Sequence, residues 1–387
     1  MAAVRVLRED DVPGAVELFE RTYPQHRWAS RSDCEGYFRE ILFGNPWRDA
    51  GLPSWVAVEG RRITGLYAIV PRRMQLRGRA LRAAVGCQFM VDPGPRRNLV
   101  ALQLARACLA GPQDLTFADG ANDATRRMWR GFGGSVSLLH SLHWTRALRP
   151  ACYALSLLEQ RSGRRAPWRA ARPLAALADA LAARLHPNSF LRAAPHSADT
   201  ALGVQDMLAH LPETLRGAAL QPVYGAAGLA WLLEQAARKT RHGALRARAA
   251  REGGRLIGWY LYYLEHGGTA EVLQLAAVEG CFGQVLARLL ADAWREGASA
   301  VHGRLDARYM QELSARHCWF RWDNTWTLVH TRDAQVAAAL HEGEAQLSRL
   351  EGEWWMRFLD AGGATRAPAA AQAPLRAAAA APRAAAR

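Results

Sequence analysis

Arg96 and Arg97 form a basic pair placed where it can hold an anion. The pair follows an apolar run, AAVGCQFMV (83–91), that is broken by DPGPRRN, and it precedes a segment with helical spacing. In that segment Leu99, Leu102, Leu104, Ala105, Cys108 and Leu109 recur at the helix period. The main-chain N–H groups near Asn98 to Ala101 are then free donors at a helix N-terminus, flanked by guanidinium groups, which suits a phosphate-bearing ligand. His140 and His143 stand three apart on a predicted strand and so cannot share a face. Either imidazole titrates near neutral pH and can act as a base, although strand histidines are more often structural. The six cysteines, Cys34, Cys87, Cys108, Cys152, Cys281 and Cys318, are scattered with no C-x-x-C pair. Neither a disulfide framework nor a structural zinc site is suggested, and no metal is expected.

The elements that must position these groups read as two similar halves. VRVLREDDVPGAVELFERTYP gives a strand, an acidic helix start with Pro13 in the first turn, and a helix. A helix over 32–42, strands over 54–58 and 63–74, the central strand, the helix after the basic turn, the strand DLTFAD, a short helix and a last strand follow, reaching residue 146. The order then repeats. LRARAAREGGRLIGWYLYYL (245–264) is a hairpin with a Gly-Gly turn, TAEVLQLAAV (269–278) a strand and 283–296 a helix, followed by ASAVHGRL, ARYMQELSAR and NTWTLVHT as strand, helix and strand. Two copies of one α/β unit fit this order better than one large sheet. The expected division is 1–146, a helical connector at 147–197, a second unit at 198–335, a C-terminal helix at 336–360 and a disordered Ala/Pro/Arg tail at 361–387. In the connector, Leu174, Leu177, Leu181 and Leu185 form one helical stripe, read as docking on the two units. A peripheral contact with an anionic membrane through 164–187 is the alternative, which the alanines and Asp179 disfavour.

VDPGPRRNLVALQL resembles the acyl-CoA-binding turn of the GNAT-superfamily acyltransferases, with Arg96 at the first position of Arg/Gln-x-x-Gly-x-Gly/Ala, Ala101 at the last and Leu99 where the first glycine normally stands. NDATRRMWRGF (122–132) is similar to the family's Asn followed by a helix ending in Gly-Phe, with Trp129 roughly where many members carry a tyrosine acid. The resemblance covers roughly residues 3 to 146. It implies an α/β (α+β) fold of two tandem GNAT-like domains, each a mixed, mainly antiparallel sheet flanked by helices, in an arrangement like that of FemAB-like and mycothiol-synthase-like enzymes. It also implies acetyl-CoA, or another acyl-CoA, as co-substrate. Arg96, Arg97, Asn98, Val100 and Ala101 would meet its pyrophosphate, Asn122 the amides of the pantetheine arm, and a bulged strand around Phe89, Met90 and Val91 the thioester. The second half's turn, VEGCFGQVLARLL, has no arginine before its helix and carries Glu279, so the donor is placed on the first half.

An acyl thioester is already activated, so the protein must orient it, polarise its carbonyl and move protons. Asp119, at the end of DLTFAD, is the first candidate base; its competing reading is a helix N-cap. Asp92 reads better as a turn former, His140 is a further candidate base, and Tyr309 occupies a place in the second half comparable to the missing acid. Trp319, Phe320, Trp322 and Trp326, with His317 and Asp323, read either as the lining of a sugar-accepting cleft or as an ordinary aromatic strand.

The chain has 387 residues and a formal charge of +15. Nucleic-acid binding is nevertheless not expected, because Lys239 is the only lysine, the basic residues are spread along the chain and no zinc finger, RNP-like motif or helix-turn-helix is visible. No basic-then-apolar leader is present and no apolar run approaches the roughly 20 residues of a membrane helix, so a cytoplasmic protein is expected. The leading function is an acyl-CoA-dependent N- or O-acyltransferase, acetyl transfer first, acting on a small molecule or a cell-envelope or polysaccharide precursor. The alternatives are a FemAB-like transferase using aminoacyl-tRNA and a catalytically degenerate scaffold of the same fold.

Overall fold

Each sheet contains a long hairpin closed by a two-residue turn. In the computed structural model, which describes residues 2–26, 28–94, 97–162, 166–185 and 199–358, strands β3 (Arg62–Leu76) and β4 (Arg79–Val91) are joined through Arg77 and Gly78, both at positive φ (50° and 86°). Strands β10 (Ala244–Glu252) and β11 (Arg255–Leu264) are joined the same way through Gly253 and Gly254 (56° and 85°). Turns with both central residues at positive φ match the right-handed twist of antiparallel strands, and glycine adopts them without steric cost.

The remaining strands are β1 (Ala3–Val6), β2 (Trp55–Glu59), β5 (Leu115–Ala121), β6 (Ser135–Val136), β7 (Leu142–Ala147), β8 (Thr200–Ala201), β9 (Leu220–Pro222), β12 (Thr269–Ala277), β13 (Ala300–Arg304), β14 (Trp319–Trp322) and β15 (Trp326–His330). The first sheet runs β1-β2-β3-β4-β5-β15-β6, with β9 also pairing to β3. The second runs β14-β7-β13-β12-β11-β10-β8. Each is mixed and mainly antiparallel, with one parallel pair: β4 with β5 in the first and β12 with β13 in the second. That is the expected fold class.

Strand partnership departs from the division read from the sequence. The strand expected to close the first half, β7, lies in the second sheet between β13 and β14. The strand expected to close the second half, β15, lies in the first sheet between β5 and β6. The two stretches of chain therefore exchange strands, and a boundary at 146 separates β7 from the strand pattern that precedes it but not from the sheet it completes. Alternating apolar residues announce a strand; they carry no information about its neighbour.

Helices Val12–Thr22, Arg31–Leu42 and Ala226–Ala237 pack with the facing sides of both sheets into one large core that includes Phe19, Phe38, Val85, Phe117, Trp259, Leu273 and Trp355. The last described segment belongs to this core as well. The helix expected over 336–360 is confined to Ala334–His341. From there the chain runs irregularly across both sheets, with Leu350, Trp355, Met356 and Phe358 buried. Lys239 holds it by donating from Nζ to the carbonyls of Trp354 (2.8 Å) and Met356 (3.2 Å). The tail at 361–387 lies outside the described residues.

In the connector, helix Pro150–Ser162 is followed by helix Ala166–Leu185, and Asp179 of the second caps the first by accepting from the N–H groups of Ala151 and Cys152 (both 2.9 Å). The stripe expected to dock faces solvent instead: Leu174, Leu177 and Leu181 are exposed, and Ala175 on another side of the helix is buried. No helix among the described residues is long and apolar enough to cross a membrane.

Candidate functional site

The cleft in the first sheet begins where its parallel pair stops. β4 and β5 are in register only over Ala83–Val85 and Leu115–Phe117; beyond that the strands diverge. On the other side of β4, Tyr67 faces Phe89 and Ala68 faces Cys87, which leaves Gln88 as an extra residue with φ 35°. A bulge of this kind takes a backbone group out of the ladder and bends the strand. It sits at Gln88, just before the expected Phe89 to Val91. Phe89 packs its ring 4.8 Å from Tyr67, while Met90 and Val91 are buried.

Helix Arg97–Leu109 lies across this sheet because Gly65 of β3 leaves room: a Cβ there would stand 2.7 Å from Leu104 Cδ1 and 2.9 Å from Val100 Cγ1. Val100 is buried by that contact, Ala101 is partly buried, and Arg97 and Asn98 are exposed. The N–H of Arg97 donates to Gly94 O (3.1 Å), closing the turn. The next N–H groups of the first helical turn have no intrahelical acceptor. Leu99 and Leu102, read as part of the helix's apolar pattern, are exposed (54% and 45%), so the leucine in the glycine position points away from the core. Arg96 lies outside the described residues. Asp92 neither caps the turn with its carboxylate nor faces the cleft unpaired: it accepts from Arg21 Nε (2.8 Å) and Arg62 Nη2 (2.8 Å), tying the end of β4 to the first helix and to β3.

Asp119 is buried on β5 and is not a helix cap. Its Oδ2 accepts from Arg304 Nη2 of β13 (2.6 Å) and its Oδ1 from the main-chain N–H of Glu353 (2.8 Å). A glycine on each segment, Gly120 on β5 and Gly352 in the irregular return, makes the approach possible. A Cβ at Gly352 would overlap the Asp119 carboxylate (2.1 Å), and one at Gly120 would stand 2.8 Å from Glu353 Oε1. Glu353 is thereby brought beside Asp119 with its side chain against the Gly120 backbone. Burial, followed by the Asp119 charge, pushes the Glu353 carboxyl up to about 8. Its charge also bears on Tyr23, Tyr67 and Cys87, all raised first by burial; Cys87 adjoins the bulge, and Tyr23 feels Arg97 as well.

Glu353 is the candidate site residue that sequence reading missed. Nothing in GEWWMRF announces chemistry, and only the return of the chain onto β5 gives the carboxyl its environment. Trp129 and Tyr67 are both fully buried in the apolar cluster that also holds Val100 and Leu104.

The other predicted residues are dispersed. Asn122 caps helix Asp123–Gly131, its Oδ1 accepting from Thr125 N (2.9 Å). His140 is in the short helix Leu138–Ser141 and not on a strand; its ring is 2.7 Å from Ser137 Oγ and 3.2 Å from the Ala345 carbonyl, and burial brings it down to about 4. Tyr309, stacked on Phe282, belongs to the far side of the second sheet's core. Neither joins Asp119. Trp319 and Trp322 are exposed, Trp322 lies 4.5 Å from Trp326, and Arg126 covers the Trp326 ring (4.7 Å).

Three solved structures share this arrangement. A protein of unknown function and probable N-acyltransferase from Enterococcus faecalis superposes with a TM-score of 0.53 at 10% identity, covering 85% of this chain and 72% of its own. A GCN5-related N-acetyltransferase from Kribbella flavida gives 0.53 at 14%, over 85% and 70%. One from Anabaena variabilis gives 0.55 at 12%, over 85% and 72%. The chain has the fold of the GCN5-related N-acetyltransferases. No family model and no curated protein matches its sequence, so the likeness is one of fold at low residue identity.

Proposed function

We propose that the protein is an acyl-CoA-dependent N- or O-acyltransferase whose donor lies along β4 of the first sheet. The observation that carries this reading is the Asp119–Glu353 carboxyl pair at the point where β4 and β5 part, on a fold shared with acetyltransferases. The thioester would sit at the Gln88 bulge, where an unpaired backbone donor can polarise its carbonyl. The diphosphate would reach the N-terminus of helix Arg97–Leu109, with Arg97 and Arg96 as counter-charges. In the second sheet, Glu279 precedes the corresponding helix Phe282–Arg295, which disfavours an anion there.

Glu353 is the general base in this reading. Burial first, and then neighbouring Asp119, which is held by Arg304, keep the Glu353 proton affinity near neutral pH, the condition for efficient proton transfer. The acceptor amine or hydroxyl attacks the thioester carbonyl carbon, its proton passes to Glu353, and collapse of the tetrahedral intermediate breaks the C–S bond. The departing thiolate takes its proton from solvent or from the protonated Glu353. The acyl group is proposed to be acetyl, and the acceptor a small molecule or cell-envelope precursor. The two GNAT-like halves are proposed to be tandem copies of which only the first is catalytic.

The test is release of free CoA thiol from acetyl-CoA across a panel of amine and sugar acceptors. Glu353→Gln should slow turnover by a factor of about 10² to 10⁴. A wild-type rate in that variant would remove Glu353 from the chemistry.

A further inference from the structure

Three strands of the second sheet deliver nitrogen and oxygen ligands to one point. His143 is on β7 and His302 on β13; the register pairs His143 with Arg304 and His302 with Thr145, so the two imidazoles are diagonal neighbours on the same face. Their rings are 5.2 Å apart. Asp323 immediately follows β14, which flanks β7 on its other side. The Asp323 Oδ2 atom lies 2.7 Å from His302 Nε2 and 3.7 Å from His143 Nδ1, and one ligand atom from each residue falls within 4.8 Å of the others. Both histidines are buried, at 5% and 6% exposure.

The His143 Nδ1 atom is a buried polar atom with no hydrogen-bond partner. Buried polar groups are almost always satisfied, and one that is not, aimed into a cluster of ligand atoms, is accounted for by something absent from the protein itself. The second ring is already oriented. His302 Nδ1 lies 2.8 Å from Glu271 Oε2, and Glu271 is held in turn by Arg349 Nη1 (2.9 Å). A carboxylate accepting from Nδ1–H fixes the tautomer that leaves the Nε2 lone pair free and makes it more basic, the usual support for a metal-bound histidine.

We propose that His143, His302 and Asp323 form a binding site for a divalent first-row transition ion, zinc first, with Glu271 as the carboxylate that orients His302. Two imidazoles and a carboxylate are a zinc donor set with a fourth position left open. Imidazole nitrogen disfavours calcium and magnesium, which take oxygen ligands. Entry of the ion widens the separation of His302 Nε2 and Asp323 Oδ2 toward that of two ligands at about 2.0–2.2 Å from a common centre. The site departs from the metal-free expectation drawn from the cysteine pattern. It would pin β7, the exchanged strand, between its two new neighbours, and it does not depend on the acyltransferase reading.

The test uses the full chain, stripped with chelator and titrated with Zn²⁺ and, separately, Co²⁺. One saturable site per chain is expected, with the visible Co²⁺ absorption of a four- or five-coordinate nitrogen–oxygen site and a rise in Tm on zinc addition. His143→Gln and Asp323→Asn should each weaken binding at least tenfold, and Glu271→Gln by about 10- to 100-fold. Asp323 is in a partly exposed turn, so its variant is expected to fold and serves as the control for a structural failure at His143. No saturable site in the wild-type chain, or a site equally tight in the Asp323→Asn and His143→Gln variants, overturns the proposal.

Discussion

The main-chain N–H of Glu353 donates to Asp119 Oδ1 at 2.8 Å, joining residues 234 positions apart. Through that one bond the last described segment is stitched to the strand that borders the candidate cleft, and a side chain that would be an ordinary surface group becomes a partly buried one. The strongest functional claim made for the molecule rests on this return.

The raised Glu353 carboxyl gives a pH dependence with a definite sign. It binds a proton in the folded state up to about pH 8 but loses it near the usual glutamate value of 4.5 when unfolded. Between these two values the folded state holds more protons, so stability falls as pH rises, by at most about 1.4 kcal/mol per pH unit. Urea unfolding at several pH values between 5 and 8 should show this slope, and Glu353→Gln should flatten it. An unchanged slope in the variant would mean the proton resides elsewhere.

His140 acts in the opposite direction. Its pKa is brought down to about 4 by burial, from an ordinary 6.5, so it stays neutral in the fold while the unfolded chain takes up a proton. Stability is lost as pH falls through that window. Replacing it by glutamine should shallow the acid limb of a Tm-against-pH curve between pH 6.5 and 4.

Lys239 is the only lysine, and both carbonyls it holds lie within the three residues that follow Glu353. Lys239→Met leaves two buried carbonyls without their donor, at a cost of about 1–3 kcal/mol. Its turnover should fall more than its KM for acyl-CoA rises, because the base is displaced and the anion turn is not touched. Equal effects on both would point to general loosening.

Strand exchange predicts that the halves do not stand alone. Residues 1–146 expressed by themselves carry β7 without β13 and β14 and lack β15 between β5 and β6. Such a fragment should lack the sharp amide dispersion of a folded domain in NMR. A cooperative, soluble 1–146 unit would contradict the exchange.

Much of the architecture was legible because it is local. The Gly253–Gly254 turn, the buried runs of β4 and β12 and the helix after Arg97 all follow from period and turn chemistry within a few residues. Partnership was not legible: β7 and β15 read correctly as strands and went to the other sheet. The same gap hid the site. Asp119 could be picked from the end of a strand, but its partners Arg304 and Glu353 come from segments that no spacing rule connects to it, and His143 acquired His302 as a neighbour only through the exchanged strand.

The most direct measurement of the central claim is calorimetric titration of the full chain with acetyl-CoA at moderate salt, where the general positive charge is screened, comparing wild type with the Arg96→Ala, Arg97→Ala double variant. The account predicts one site per chain at micromolar affinity, weakened at least tenfold in the double variant and retained in Glu353→Gln. Absence of saturable binding by acetyl-CoA and by longer acyl-CoAs, or binding indifferent to Arg96 and Arg97, would contradict it.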